Sequence, residues 1–129
     1  MSDNNKTINQ LRDKAYTTAL EKGWYENEDQ LGTRLALIHS EVSEALEADR
    51  NGLHCRKQDL DLVLAIEDDN EFKKAFKALV KDRFEDELAD VIIRILDMSG
   101  RLLIDLDGHI AAKMRYNAMR EYKHGGKRY

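Results

Sequence analysis

Two acidic pairs, Glu41-Val42-Ser43-Glu44 and Glu87-Leu88-Ala89-Asp90, each lie inside a hydrophobic pattern of helical period. Carboxylates at i and i+3 project from the same side of a helix. Two such helices packed face to face would gather four of them. At about 4 Å, two like charges repel by roughly 1 kcal/mol in water and about 4 kcal/mol at a protein-like effective dielectric. A cation relieves that repulsion, so a divalent-metal site is the chemistry these residues point to. The donors are all oxygen. No Cys/His cluster has zinc spacing, and neither pair has the Glu-x-x-His form of di-iron bundles. Hard oxygen ligands favour Mg²⁺ or Mn²⁺, and Mg²⁺ commonly shares its shell with substrate phosphates.

A basic stripe near the C-terminus supplies the complement. Lys113, Asn117 and Arg120 recur at i, i+4 and i+7. From Ile110 to Tyr129 there are six Lys or Arg residues and one acid, a local balance of +5 in a chain of net charge −4. An acidic body with a basic tail can hold metal at one element and phosphate at the other. The same stripe also fits a solvated face that favours its own helix dipole. Paired acidic i,i+3 motifs likewise occur on solvated helices, and the sequence pattern leaves both readings open.

The elements that must position these groups read as helices. There is no proline, and the seven glycines do not punctuate the chain as a β sandwich requires. Hydrophobic content of 42% supports a core, and 36% charged residues suit solvated helix faces. A first helix is predicted from the N-cap Thr7 to Lys22, with Ile8, Leu11, Ala15 and Ala19 inward and Gly23 as its stop. A second is predicted from near Asp29 to Asn51-Gly52, with Leu31, Leu35, Ile38, Val42 and Leu46 as its apolar stripe. Glu41 and Glu44 flank that stripe. The Leu60–Ile66 segment fits a helical turn or a short strand equally. Asn70 is expected to cap a further helix, whose phase runs through Phe72, Phe76 and Phe84 to Leu102 as one helix or two. Glu87 and Asp90 flank this stripe, and Arg94, Asp97 and Arg101 extend the flank. A final helix is predicted from Asp107 to Tyr122, with Ile110, Met114 and Ala118 inward. The architecture expected is all-α, a helical bundle of four to five main helices.

The segments Ser40-Glu41-Val42-Ser43-Glu44, Glu87-Leu88-Ala89-Asp90-Val91 and Lys113-Met114-Arg115-Tyr116-Asn117-Ala118-Met119-Arg120, with His124-Gly125-Gly126-Lys127, occur in an order that resembles the MazG-like, all-α nucleoside triphosphate pyrophosphohydrolases. The resemblance covers residues 31–49 and 84–127 and reaches more weakly to Lys22-Gly23-Trp24. It implies one MazG-like domain over residues 1–129, with residues 50–82 as a family-variable insertion and a core completed by oligomerisation. It implies Glu41, Glu44, Glu87 and Asp90 as catalytic metal ligands for Mg²⁺, with Mn²⁺ as the substitute. It implies Lys113, Asn117 and Arg120 as substrate contacts on the triphosphate or supports of the metal shell. Trp24 would stack on a base, or serve as a core aromatic. The implied reaction converts a nucleoside triphosphate, ribo or deoxy, to the monophosphate and pyrophosphate, in a homodimer or homotetramer.

Two departures from the family pattern stand out. Ser40 occupies the place of the first Glu. The spacer from Ala45 to Asp86 is long, at forty-two residues, and would serve as a lid, a dimer contact, a specificity element or a plain surface. They leave room for a helical protein that binds nucleotide or metal without turnover, or for a pyrophosphohydrolase acting on a phosphoribosyl nucleotide such as phosphoribosyl-ATP. Asp97 would join a second metal or pair with Arg94 or Arg101. His39 and His54 read as surface residues, His109 as part of a helix start, and His124 as a tail residue. The single Cys55 cannot form an intrachain disulfide, and no apolar run reaches membrane-span length. With no signal-like leader, these features imply a cytoplasmic protein with no membrane partner, and no nucleic-acid polymer is expected.

Overall fold

The computed structural model describes residues 5–26 and 30–120. Among them the regular structure is entirely α-helical, in six elements: α1 (Ile8–Glu21), α2 (Leu31–Arg50), α3 (Lys57–Leu64), α4 (Asp69–Leu79), α5 (Phe84–Arg101) and α6 (Leu106–Ala118). The expected class is therefore observed, with six helices in place of four to five. No helix of the described residues is long and apolar enough to cross a membrane. The chain forms two compact units. One comprises residues 1–23 and 96–129, and the other residues 24–95, so α5 begins in the second and ends in the first.

In the first unit, α1 and α6 cap each other's starts. Thr7 closes a capping box with Gln10. Asp107, in the first turn of α6, accepts from the backbone N–H groups of Ile8 and Asn9. Asn9 Oδ1 in return accepts from the N–H groups of Leu106 and Asp107, and its Nδ2 donates to Asp105. Donors left over at two helix starts thus meet side-chain oxygens, and the carboxylates face the positive ends of both helix dipoles. Arg12 Nη1 donates to the Ile104 carbonyl at 2.7 Å. Gly100 has a packing reason: a Cβ there would lie 2.6 Å from Tyr16 Cβ. Ala19 and Leu96 are buried, whereas Ile110 and Met114, expected inward, are exposed. Helix α6 ends at Ala118 and not at Tyr122, which lies outside the described residues.

In the second unit, the Leu60–Ile66 ambiguity resolves to helix α3, with Val63 at its buried point. Helix α4 starts from Asp68, whose side chain accepts from Glu71 N–H, so the cap lies two residues before Asn70. The apolar phase through Phe72–Leu102 is carried by two helices. Asp82 adopts φ 64°, left-handed backbone that ends helical propagation. Arg83 closes the end of α4 by donating to the carbonyls of Ala78 and Lys81. The N–H of Phe84 donates to the Leu53 carbonyl at 2.8 Å, tying the start of α5 to the segment after α2.

Helix α2 overturns one expectation. Its buried residues are Arg34, Glu41, Ala45 and Ala48. Of the predicted apolar stripe, Leu31, Leu35, Val42 and Leu46 are about half exposed and only Ile38 is less so. The flank bearing Glu41 is thus the inner face of the helix, and small alanines let it pack closely.

Candidate metal centre

Three carboxylates of the second unit converge. Glu41 and Glu44 come from α2 and Glu87 from the first turn of α5, and one oxygen of each lies within 4.8 Å of the others. Glu41 is 7% exposed and Glu87 6%, while Glu44 closes the outer side. Helical spacing places Glu44 one turn beyond Glu41, so a single face of α2 supplies two groups.

Burying like charges together has a cost that shows in their proton affinities. Glu87 is pushed up to about 7, first by burial and then by the charges of Glu44, Asp90 and Glu41. Glu44 is raised by a carboxyl–carboxyl hydrogen bond with Glu41 and by the Glu41 charge. Asp90 is raised by burial and by Glu41 and Asp86. Asp90 stands outside the 4.8 Å group but inside its electrostatic field.

Glu87 also carries an unmet demand. Its Oε2 is buried and has no hydrogen-bond partner among the described residues. A buried acceptor in that state costs roughly 1–3 kcal/mol. A divalent cation at the convergence would satisfy that atom and relieve the repulsion together. The all-oxygen donor set fits a hard cation of the Mg²⁺ or Mn²⁺ type.

One cation of the chain already touches the cluster. Arg94, two turns along α5 from Glu87, donates Nε–H to Glu41 Oε1 at 2.8 Å. Its guanidinium carbon lies 5.6 Å from the ring centre of Trp24. Of the two arginines expected for Asp97, Arg94 pairs with Glu41 instead, and Asp97 is buried in the first unit. The turn carrying Trp24 is held by Arg34, which donates Nη2–H to the Trp24 carbonyl at 2.9 Å and stacks on Tyr25 at 3.8 Å. Trp24 is half exposed, so it is not a core aromatic.

The remaining sequence candidates are placed as follows. Lys113 and Asn117 lie exposed on α6, with Lys113 Nζ 5.3 Å from the Tyr116 ring centre. Arg120 falls beyond the end of α6, so the predicted stripe outlasts its helix by one member. These three belong to the first unit and the carboxylates to the second. His124 and the rest of the tail lie outside the described residues. Ser40 Oγ donates to the Leu37 carbonyl of its own helix at 2.7 Å.

The sequence reading missed two features. A second acidic group, Asp82, Asp86 and Glu87, forms where α5 begins. Its only sequence signal was the density of acids at the end of the spacer. His54 does lie at the surface, but it is engaged by Asp49 and Glu85. Comparison with family models, curated proteins and solved structures returned no match. The class that fold and site define is a small all-α protein with acidic clusters able to hold a divalent cation.

Proposed function

We propose that this protein is a Mg²⁺-dependent nucleotide pyrophosphohydrolase, cleaving a nucleoside triphosphate to the monophosphate and pyrophosphate. The observation that carries the reading is the buried Glu87 oxygen without a partner, set among Glu41 and Glu44. The order of the acidic pairs and the Lys113/Asn117/Arg120 segment, which resembles the MazG-like enzymes, supports the substrate class. Glu41, Glu44 and Glu87 hold the ion, and Asp90 adds negative charge beside it. When bound, the ion supplies Lewis-acid polarisation of phosphate oxygens. The family resemblance assigns Lys113, Asn117 and Arg120 to the polyphosphate and the half-exposed Trp24 to the base.

Self-association belongs to the same proposal. The half-exposed Leu31, Leu35, Val42 and Leu46 form one row on α2, flanked by the acidic face. A second copy covering that row completes the core as a homodimer or homotetramer.

A panel of standard and modified ribo- and deoxynucleoside triphosphates, incubated with Mg²⁺ and assayed for pyrophosphate, tests the reaction. No nucleotide turned over faster than by a Glu44→Ala/Glu87→Ala control would reject it. One observation favours binding without turnover: Ser40, bonded to its own helix, leaves the acidic face with no further carboxylate at that position. Nucleotide binding without product would select this second reading. Phosphoribosyl-ATP in the panel tests the related substrate class.

A further inference from the structure

We propose that Arg94 is a phosphate-binding residue of this centre, with its Nε edge fastening Glu41 and its Nη edge taking oxygens of a polyphosphate. The inference rests on the metal-centre reading and adds a residue outside the acidic pairs and the basic stripe.

The geometry separates the two edges of one guanidinium. Nε–H is committed to Glu41 Oε1 at 2.8 Å, and among the described residues the Nη groups make no hydrogen bond. The side chain is 28% exposed, so the unused donors reach solvent beside a buried carboxylate. A guanidinium carries five N–H donors in a planar fork, and its outer edge matches two oxygens of a phosphate. Lysine cannot reproduce this, because its ammonium is a point charge without a fork.

The surroundings select an oxyanion held with a metal over an anion alone. Glu41, Glu44, Glu87 and Asp90 repel an approaching phosphate, and one arginine does not outweigh them. A cation among the carboxylates reverses the local sign and draws phosphate oxygens to a point next to Arg94. The ring centre of Trp24 lies 5.6 Å from the guanidinium carbon. As the single tryptophan of the chain, it reports on events at Arg94 by its fluorescence.

The test titrates the full chain with Mn²⁺ alone, by calorimetry, and then with tripolyphosphate at saturating Mn²⁺, by Trp24 fluorescence. The parent is compared with Arg94→Gln and Arg94→Lys. Both variants are expected to keep Mn²⁺ affinity within about threefold, while tripolyphosphate binding weakens roughly tenfold in Arg94→Gln and by an intermediate factor in Arg94→Lys. If Arg94→Gln does not fold, Arg94→Lys decides, because it keeps a cation against buried Glu41. Parent-like tripolyphosphate affinity in a variant that binds Mn²⁺ overturns the proposal and leaves the metal centre standing. Loss of Mn²⁺ together with tripolyphosphate in Arg94→Lys also overturns it, since Arg94 would then act only by positioning Glu41. A parent that binds no Mn²⁺ removes the metal centre itself, and the clamp with it.

Discussion

His54 and Glu85 tie the segment after α2 to the start of α5: Nδ1 of the imidazole lies 2.9 Å from Glu85 Oε1. The other ring nitrogen lies 2.9 Å from Asp49 Oδ1, and Glu85 Oε2 also accepts the Cys55 N–H. A neutral imidazole has one N–H, so two carboxylate partners call for the doubly protonated ring.

The histidine's pKa is accordingly raised, first by its hydrogen bond to Glu85 and then by that to Asp49. A raised folded-state value gives stabilisation that is complete below the ordinary value of about 6.5 and lost as pH rises through the folded one. Glu85 is lowered: burial opposes the shift, but the Cys55 N–H and His54 outweigh it. Its contribution is present above the ordinary carboxylate range and lost as pH falls through its folded value. We expect His54→Gln to lower the melting temperature most at about pH 6, to leave it nearly unchanged at about pH 8, and so to flatten the fall between them. An unchanged slope in thermal melts across that window would contradict the assignment.

Glu87 gives a second pH dependence in a lower window. Its folded value near 7 exceeds the ordinary 4.5, so the folded chain holds a proton that the unfolded chain releases. Metal-free stability therefore falls as pH rises from about 4.5 to 7 and then levels. Glu87→Gln keeps the shape, removes a negative charge and offers an amide donor to Glu44 and Glu41. At about pH 8 the metal-free variant should be more stable than the parent by roughly 1–3 kcal/mol in denaturant unfolding. A variant that is less stable there would show that the carboxylates are not in electrostatic conflict.

Metal addition separates the ligands from their neighbours. Mg²⁺ or Mn²⁺ should raise the parent's melting temperature, more at about pH 8 than at about pH 6, because protons compete for Glu87 and Glu44. Glu87→Gln should lose most of that shift. Asp90 lies outside the 4.8 Å group, so Asp90→Asn should weaken metal binding less than Glu44→Gln does. The reverse order in calorimetric titrations would move the metal toward Asp90.

Parts of this architecture are plain from residue order, and parts are hidden for physical reasons. Thr7 with Gln10 and the stop at Gly23 are local signals, and α1 matches them. Asp68, Asp69 and Asn70 are all competent caps, so the start of α4 depends on which oxygen finds the N–H of the third helical residue. The break between α4 and α5 leaves the apolar phase intact, so periodicity cannot register the left-handed Asp82. Convergence of Glu41, Glu44 and Glu87 was legible because i,i+3 spacing fixes a face. Which face turns inward was not, because an apolar row signals burial without saying whether the same chain supplies the cover. Arg94 was invisible as a partner of Glu41, since the two are fifty-three positions apart.

Gly100 offers a test of packing in the first unit, away from the carboxylates. The Cβ of an alanine would meet Tyr16 Cβ at 2.6 Å and the Arg12 carbonyl at 3.3 Å. Neither neighbour can rotate away, because a Cβ and a carbonyl move only with their backbone. Helix propensity alone favours alanine by about 0.8–1.0 kcal/mol. Overpacking typically costs about 1–3 kcal/mol, so the clash should win. Gly100→Ala should lower stability by up to about 2 kcal/mol on balance. A stabilised Gly100→Ala in denaturant unfolding would mean that α1 and the end of α5 are not in this contact.

The exposed row on α2 bears on self-association. Leu31, Leu35, Val42 and Leu46 are each about half exposed, so covering what remains of each is worth roughly half of the ~1.5–3 kcal/mol that full burial gives. Replacing Leu35 and Leu46 by Glu puts two charges on the row without replacing Arg34, Glu41, Ala45 or Ala48, the residues α2 buries in its own chain. If a second copy covers the row, light scattering should show the parent as a dimer or tetramer and the double variant as a monomer. Circular dichroism should remain helical, and the monomer should melt at a lower temperature that no longer rises with concentration. A parent that is monomeric at all concentrations, with unchanged stability on Leu35→Glu/Leu46→Glu, would assign the row to solvent and remove self-association from the proposed function.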